Sequence, residues 1–146
     1  MDALRRLIPE RAIQRRVRAL AAELSRDYRG RSPLFLGVLK GAAGSDKISV
    51  RLRPTADLQG RDVVVVEDIV DTGRTLRFLR RYVARRGPAS LRVCALLVRT
   101  HAGNEKERLV DYRGFTVGEG WLVGYGLDCS EKYRALPDIY VVEGEQ

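Results

Sequence analysis

The chain is poor in cysteine. Cys94 and Cys129 are its only two, and neither stands in a metal-ligand or redox spacing. A disulfide-stapled scaffold and a structural zinc centre are therefore excluded, and the expected state is two reduced thiols in a cytoplasmic protein. No apolar run approaches the length of a bilayer span. Residues 1–18 are charged and helical in pattern, without the apolar stretch and small-residue cleavage site of a secretory signal. Internal repeats and low-complexity linkers are missing as well. So are the two commonest phosphate-binding signatures, GxxxxGK[ST] and GxGxxG.

What is present fits one soluble α/β domain spanning residues 1–146. At 45% hydrophobic and 32% charged, the chain can bury a core without help from metals. Its net charge is +8, and 23 of the 27 basic residues are arginine. A basic surface of this kind suits either nucleic acid or a small polyanion. The arginines are spread over predicted helices, which argues against nucleic acid and for a compact anionic ligand.

Hydrophobic spacing organises the rest. Ile13, Val17, Leu20, Ala21, Leu24 and Tyr28 recur every three or four positions, predicting an amphipathic helix over residues 9–28 that Gly30 stops. Residues 34–39 read as a buried strand running into Lys40-Gly41, and residues 48–52 as a further strand. Val63-Val64-Val65-Val66 is a central-strand run. Leu76, Leu79 and Val83 place a helix over residues 73–86, ended by Gly87-Pro88. Strands follow at residues 91–98, 121–125 and 139–142. Strands separated by a helix imply a parallel sheet with right-handed crossovers.

The segment Val63-Val64-Val65-Val66-Glu67-Asp68-Ile69-Val70-Asp71-Thr72-Gly73-Arg74-Thr75-Leu76 concentrates the chemistry. A strand ends at two acids, a short loop follows, and a helix begins. Ligands of open α/β sheets bind at the carboxyl ends of strands. Thr72, Gly73, Arg74 and Thr75 offer amides at a helix N-terminus and two hydroxyls, a nest for a terminal phosphate. Glu67 and Asp68 would repel a phosphate but accept hydrogen bonds from sugar hydroxyls. A phosphate nest beside a diol-binding pair describes a ribose 5-phosphate. Asp71 alone reads equally well as an acidic helix cap, but a cap does not account for the fourteen-residue pattern.

This pattern resembles the motif with which type I phosphoribosyltransferases bind 5-phosphoribosyl pyrophosphate (PRPP). Two further segments resemble the hypoxanthine-guanine branch of that family. Gly37-Val38-Leu39-Lys40-Gly41-Ala42 is similar to its pyrophosphate loop. Trp121-Leu122-Val123-Gly124-Tyr125-Gly126-Leu127-Asp128, with Glu131-Lys132-Tyr133-Arg134-Ala135-Leu136-Pro137, is similar to its purine-and-pyrophosphate stretch. Standing alone, Lys40 would be a strand-to-turn lysine, Trp121 a core aromatic and Arg99 a surface residue at a strand end.

The resemblance implies a twisted, mainly parallel sheet flanked by helices, with a shortened lid or hood. It implies purine salvage: transfer of phosphoribosyl from PRPP to a 6-oxopurine, giving IMP or GMP and pyrophosphate. A catalytically weak purine-nucleotide-binding module of the same fold is the alternative. Asp71 would be the general base, and residues 67, 68 and 71–75 would hold the ribose phosphate. Leu39, Lys40, Gly41 and Arg134 would hold pyrophosphate, and Arg99, Trp121 and Leu122 the purine. Glu67, Asp68 and Asp128 would serve Mg²⁺. A homo-oligomer, dimer or tetramer, is implied too. The chain departs from the pattern twice. Arg99 stands where the family has a lysine for the purine's 6-oxo group, and only residues 43–48 lie where the family carries a helix, a strand and a mobile loop.

Overall fold

The computed structural model describes residues 3–38, 57–100 and 109–144. The chain runs β1 (Ala3–Ile8), α1 (Glu10–Asp27), β2 (Leu34–Gly37), β3 (Asp62–Val70), α2 (Arg74–Ala84), β4 (Ser90–Arg99), β5 (Tyr112–Val117), β6 (Trp121–Val123) and β7 (Ile139–Glu143). Strands β2-β3-β4-β5 form one sheet in that order, every neighbouring pair parallel. A second, antiparallel sheet has the order β1-β7-β6. Its strand β6 carries Trp121 and Leu122.

The valine run forms the buried centre of the main sheet: Val63, Val64 and Val65 are at most 1% exposed. Continuous burial of this kind is what a strand covered on both faces requires. On one face, Leu20 of α1 packs with Val64, Cys94 and Tyr112. On the other, Leu76 and Leu79 of α2 pack with Val65, Val93 and Ala95. Ile13 of α1 joins Ile69, Leu97, Val117, Leu122, Ile139 and Val141 in a third cluster, which ties the small sheet to the carboxyl end of the main one.

That cluster exposes a change of phase. Val64 packs on the α1 side and so does Ile69, five residues on; Val65 packs on the α2 side and so does Val70. Strict alternation would forbid both pairs. The ladder is interrupted in step across three strands, because Asp68, Leu96 and Gly114 stand in one row and none is paired there. Gly114 shows why the row holds: a Cβ at that position would lie 2.3 Å from the Leu96 carbonyl oxygen. Asp68 turns its Oδ1 onto the amide of Ile69 at 2.7 Å, satisfying one donor beside the break.

Several sequence expectations need correction. Residues 3–8 are a strand, not the start of a helix, because they pair with β7 from Ala3 opposite Glu143 to Ile8 opposite Ile139. Helix α1 begins only after Pro9, and the amide of Glu10 is capped by Asp138 Oδ1 at 2.6 Å. Val17 is 40% exposed, so the buried stripe of α1 is narrower than its spacing suggests. Strand β3 does not stop at the two acids; its pairing with β4 carries it through to Val70. Strand β5 has no counterpart in the sequence reading. The predicted strand at residues 48–52 and the connector at 43–48 lie outside the described residues.

Candidate phosphoribosyl-binding site

At the carboxyl end of β3, an open crevice is lined by Glu67, Ile69, Val70, Asp71, Thr72, Gly73, Thr75 and Leu76. Gly73 makes the turn into α2. Its φ of 81° is left-handed, a conformation glycine adopts without steric cost. Gly73, the N-cap residue, has no side chain with which to cap α2, and the first turn contains no acid. The opening amides of a helix have no intrahelical acceptors and carry the positive end of its dipole. The amide of Arg74 reaches only Thr72 Oγ1, at 3.3 Å. A helix start with this single long side-chain contact, facing a crevice, is suited to an anion.

The two acids separate. Glu67 is 4% exposed and lines the crevice, whereas Asp68 is exposed and stands outside its lining. The phase change in β3 produces this: Glu67 and Val70 both turn toward α2, with Asp68 in the interrupted row between them. Asp71 is exposed at the crevice mouth, where its Oδ1 lies 3.4 Å from Arg99 Nε. Arg99 also donates from Nη1 to the carbonyl of Gly118 at 2.8 Å, and only 12% of its side chain is exposed. Arg99 is thus a fixed bridge between the loop after β3 and the loop after β5. Arg99 does stand at a strand end, the last residue of β4, but its side chain is largely covered rather than on the surface.

Sequence reasoning missed Arg77. Its Nη1 lies 3.4 Å from the Thr72 carbonyl and 3.4 Å from where a Gly73 Cβ would sit, which places the guanidinium over the loop. The available signal was spacing, since a residue four beyond Gly73 folds back over the helix start. Charge points the same way. Residues 72–99 contain eight arginines and no acid, equal to the whole net charge of +8. Arg74 and Arg77 stand in the first turn of α2 beside the crevice, whereas Arg85 and Arg86 lie past the far end of the helix and Arg92 pairs with Asp27, so only part of this charge faces an anionic ligand there. Several of these guanidiniums are spent on main-chain carbonyls: Arg80 on Leu109, Arg81 on Arg77 and Arg86 on Tyr82.

On the small sheet, Trp121 is 61% exposed while Leu122 and Val123 beside it are buried. Trp121 is not a core aromatic. Its indole Nε1 donates to the carbonyl of Asp128 at 3.1 Å. Asp128 in turn accepts from the Glu131 amide at 2.7 Å and pairs with Arg134 Nη2 at 3.3 Å. The amide bond from Glu131, with help from Arg134, holds the Asp128 carboxyl below the ordinary carboxylate value of 3.8. Leu39, Lys40 and Gly41 lie outside the described residues. Val38, the last described residue before them, donates its amide to the Val66 carbonyl at 3.0 Å.

No group of three metal-ligating side chains occurs among the described residues. Mg²⁺ held largely by a ligand's oxygens and water asks for only one or two carboxylates. Asp68, exposed, and Asp128, partly exposed, fit such a part. Glu67 could reach an ion only from inside the crevice.

Comparison with known proteins decides the family. The phosphoribosyl transferase domain matches residues 42–130. The hypoxanthine-guanine phosphoribosyltransferase of Streptococcus pneumoniae (strain ATCC BAA-255 / R6) is 34% identical over an alignment that takes in 99% of this chain and 96% of that protein. The chain belongs to the hypoxanthine-guanine phosphoribosyltransferase family, with its type I α/β fold. A crystal structure of a member from Bacillus anthracis superposes with a TM-score of 0.84 at 29% identity, covering 99% of this chain and 100% of that one. The bifunctional protein TilS/HprT of Listeria monocytogenes serotype 4b (strain F2365) is 35% identical, and the chain spans 26% of its length. The pneumococcal alignment runs over 173 positions against a chain of 146 residues, so at least 27 of its positions have no residue here.

Proposed function

We propose that this chain transfers a phosphoribosyl group from PRPP to a 6-oxopurine, hypoxanthine or guanine, releasing pyrophosphate and the purine nucleoside monophosphate. One observation supports this reading above others: the acid-free start of α2 and the Asp71–Arg99 bridge meet at one crevice. The amides of residues 72–75 bind the 5-phosphate and so orient the sugar. Glu67 and Asp68 hold the ribose hydroxyls, and Trp121 stacks on the purine while Leu122 meets its edge. Asp71 accepts the N7 proton as a purine nitrogen bonds to the anomeric carbon and the bond to pyrophosphate breaks. Arg99 donates to the 6-oxo group, and Arg134, with Leu39, Lys40 and Gly41, grips the pyrophosphate. Mg²⁺, when bound at Asp68 and Asp128, would neutralise the leaving group.

The shortening of the chain against the pneumococcal relative is the ground for expecting a slow enzyme. A lid excludes water from an oxocarbenium-like centre, and at least 27 positions of the pneumococcal relative are missing here. We therefore expect nucleotide binding with turnover below the usual 1–10³ s⁻¹, on the order-of-magnitude scale for enzymes. The names of the relatives favour the transferase over a nucleotide-binding module that has lost catalysis. Two free thiols suit a reducing cytoplasm, and a dimer or tetramer is the proposed assembly. Steady-state transfer assays with hypoxanthine and guanine, beside calorimetry with GMP, test the proposal. Binding without any product would favour the module; neither binding nor product would remove the reading.

A further inference from the structure

The stretch between β6 and β7 is the most contorted backbone among the described residues. Tyr125, Ser130, Glu131 and Tyr133 have φ of 51°, 51°, 63° and 72°, and Gly124 and Gly126 have 93° and 91°. Non-glycine residues rarely adopt such angles, and they gather at ligand clamps and switch regions. The strap is pinned by its own main chain: Tyr125 donates to the Leu136 carbonyl at 2.8 Å, and Cys129 and Lys132 exchange amide bonds at 3.3 and 3.0 Å. Gly124 exchanges amide bonds with Leu127 at 2.9 and 3.0 Å, and Gly126 donates to the Arg134 carbonyl at 2.9 Å. Gly124 cannot be replaced, because a Cβ there would lie 2.0 Å from the Asp138 carbonyl oxygen.

Side chains from outside the strap reach in at two places: Arg6 and Tyr140 meet Asp138 at its end, and Trp121 meets its middle. Trp121, on β6, donates its indole N–H to the Asp128 carbonyl. The carboxylate of that same residue holds Arg134 and the Glu131 amide. A single aromatic residue therefore has two working surfaces. Its ring face is exposed to a base, and its ring edge fixes the residue that organises the strap.

We infer that Trp121 is a positioning residue that links purine binding to pyrophosphate binding through its hydrogen bond to Asp128. This rests on the function proposed above. A purine stacked on the ring fixes the indole, the indole fixes the Asp128 carbonyl, and Asp128 and Arg134 are then already ordered when Mg²⁺–pyrophosphate arrives. The second ligand meets a smaller ordering cost, which is positive cooperativity. By linkage, pyrophosphate must tighten the base by the same factor.

Calorimetry on the full chain tests this, with Mg²⁺–pyrophosphate titrated in the presence and absence of saturating hypoxanthine. The expected result is a tightening of about fivefold or more, the usual lower range for coupled sites. Trp121→Phe keeps the stacking ring and loses the N–H. In it the ratio of pyrophosphate affinities with and without saturating hypoxanthine should fall to about one, whatever the variant does to hypoxanthine affinity itself, because a uniform loss of binding cancels in that ratio. A second measurement needs no variant. Trp121 is the only tryptophan, so Mg²⁺–pyrophosphate alone should shift its fluorescence without touching the ring. Coupling that persists in Trp121→Phe, binding of both ligands without coupling, or unchanged fluorescence would each overturn the link alone. If the parent chain binds neither ligand, the underlying functional reading fails and the link with it.

Discussion

Arg99 and Asp71 share a contact across two loops: Nε of the arginine, at the end of β4, lies 3.4 Å from Oδ1 of the aspartate that follows β3. The same guanidinium holds the Gly118 carbonyl at 2.8 Å. A planar fork can make both contacts at once, whereas an ammonium on a flexible stem is a single point charge. The proposed base and the loop leading to Trp121 are therefore held by one side chain.

Replacing that side chain should hurt the base half of the reaction. Arg99→Met is expected to lower kcat/KM for hypoxanthine by about 10- to 100-fold, the scale of one charge-assisted hydrogen bond of roughly 1.5–3 kcal/mol. KM for PRPP should stay within about twofold. Asp71→Asn should leave GMP affinity nearly unchanged in calorimetry and abolish transfer. Transfer at the parent rate in Asp71→Asn would remove the proton-acceptor role.

Gly114→Ala tests the row that interrupts the sheet. The added methyl meets a main-chain oxygen at 2.3 Å, and no flexible side chain can yield. A loss of about 1–3 kcal/mol is expected from overpacking of this kind, read as a lower urea midpoint with an unchanged slope. A variant as stable as the parent would show that the row is not rigid.

The sequence is informative where local pattern and tertiary contact agree. Leu76, Leu79 and Val83 repeat at helical spacing and all three are buried on α2. The valine run is central, as its composition requires. Strand β1 was not legible, because its partner β7 lies at the other end of the chain and only the pairing makes it a strand. Strand β5 was hidden by Gly114, which looks like a turn residue and is instead a close-approach residue. At the site, the helix start and Asp71 follow from the motif. The separation of Glu67 from Asp68 does not, since it depends on an interruption shared by three strands.

The two thiols should differ in rate. Cys94 is buried; burial, with a smaller contribution from Glu23, pushes its thiol above the ordinary 9.0. Cys129 is partly exposed. A disulfide reagent at pH 8 should modify one equivalent quickly and the second only after unfolding. Two fast equivalents would contradict the packing of Cys94 against α1.

Three tyrosine hydroxyls, those of Tyr28, Tyr112 and Tyr140, are held above 10.0, and the first two belong to buried residues. Burial, and then the 2.6 Å hydrogen bond to Asp27, hold the Tyr112 hydroxyl above 10.0; burial does the same for Tyr28. A group that binds its proton more tightly when folded stabilises the fold fully below its unfolded value. That contribution is lost as pH rises through the folded value. Urea denaturation should therefore give constant stability from these groups up to about pH 10, the unperturbed phenol value, and a decline above it. Tyr112→Phe should cost about 1 kcal/mol at pH 8 and flatten part of that decline. An undiminished decline in the variant would assign it to other groups.

The interrupted row at Asp68, Leu96 and Gly114 has a bearing on engineering. A designer who grafted the stretch from Val63 to Thr75 onto an unbroken scaffold strand would carry over every letter and lose the arrangement. Strict two-residue periodicity would send Glu67 and Val70 to opposite sides, leaving the carboxylate pointing away from the helix start it now accompanies. The transplantable unit is three neighbouring strands with a glycine in the third.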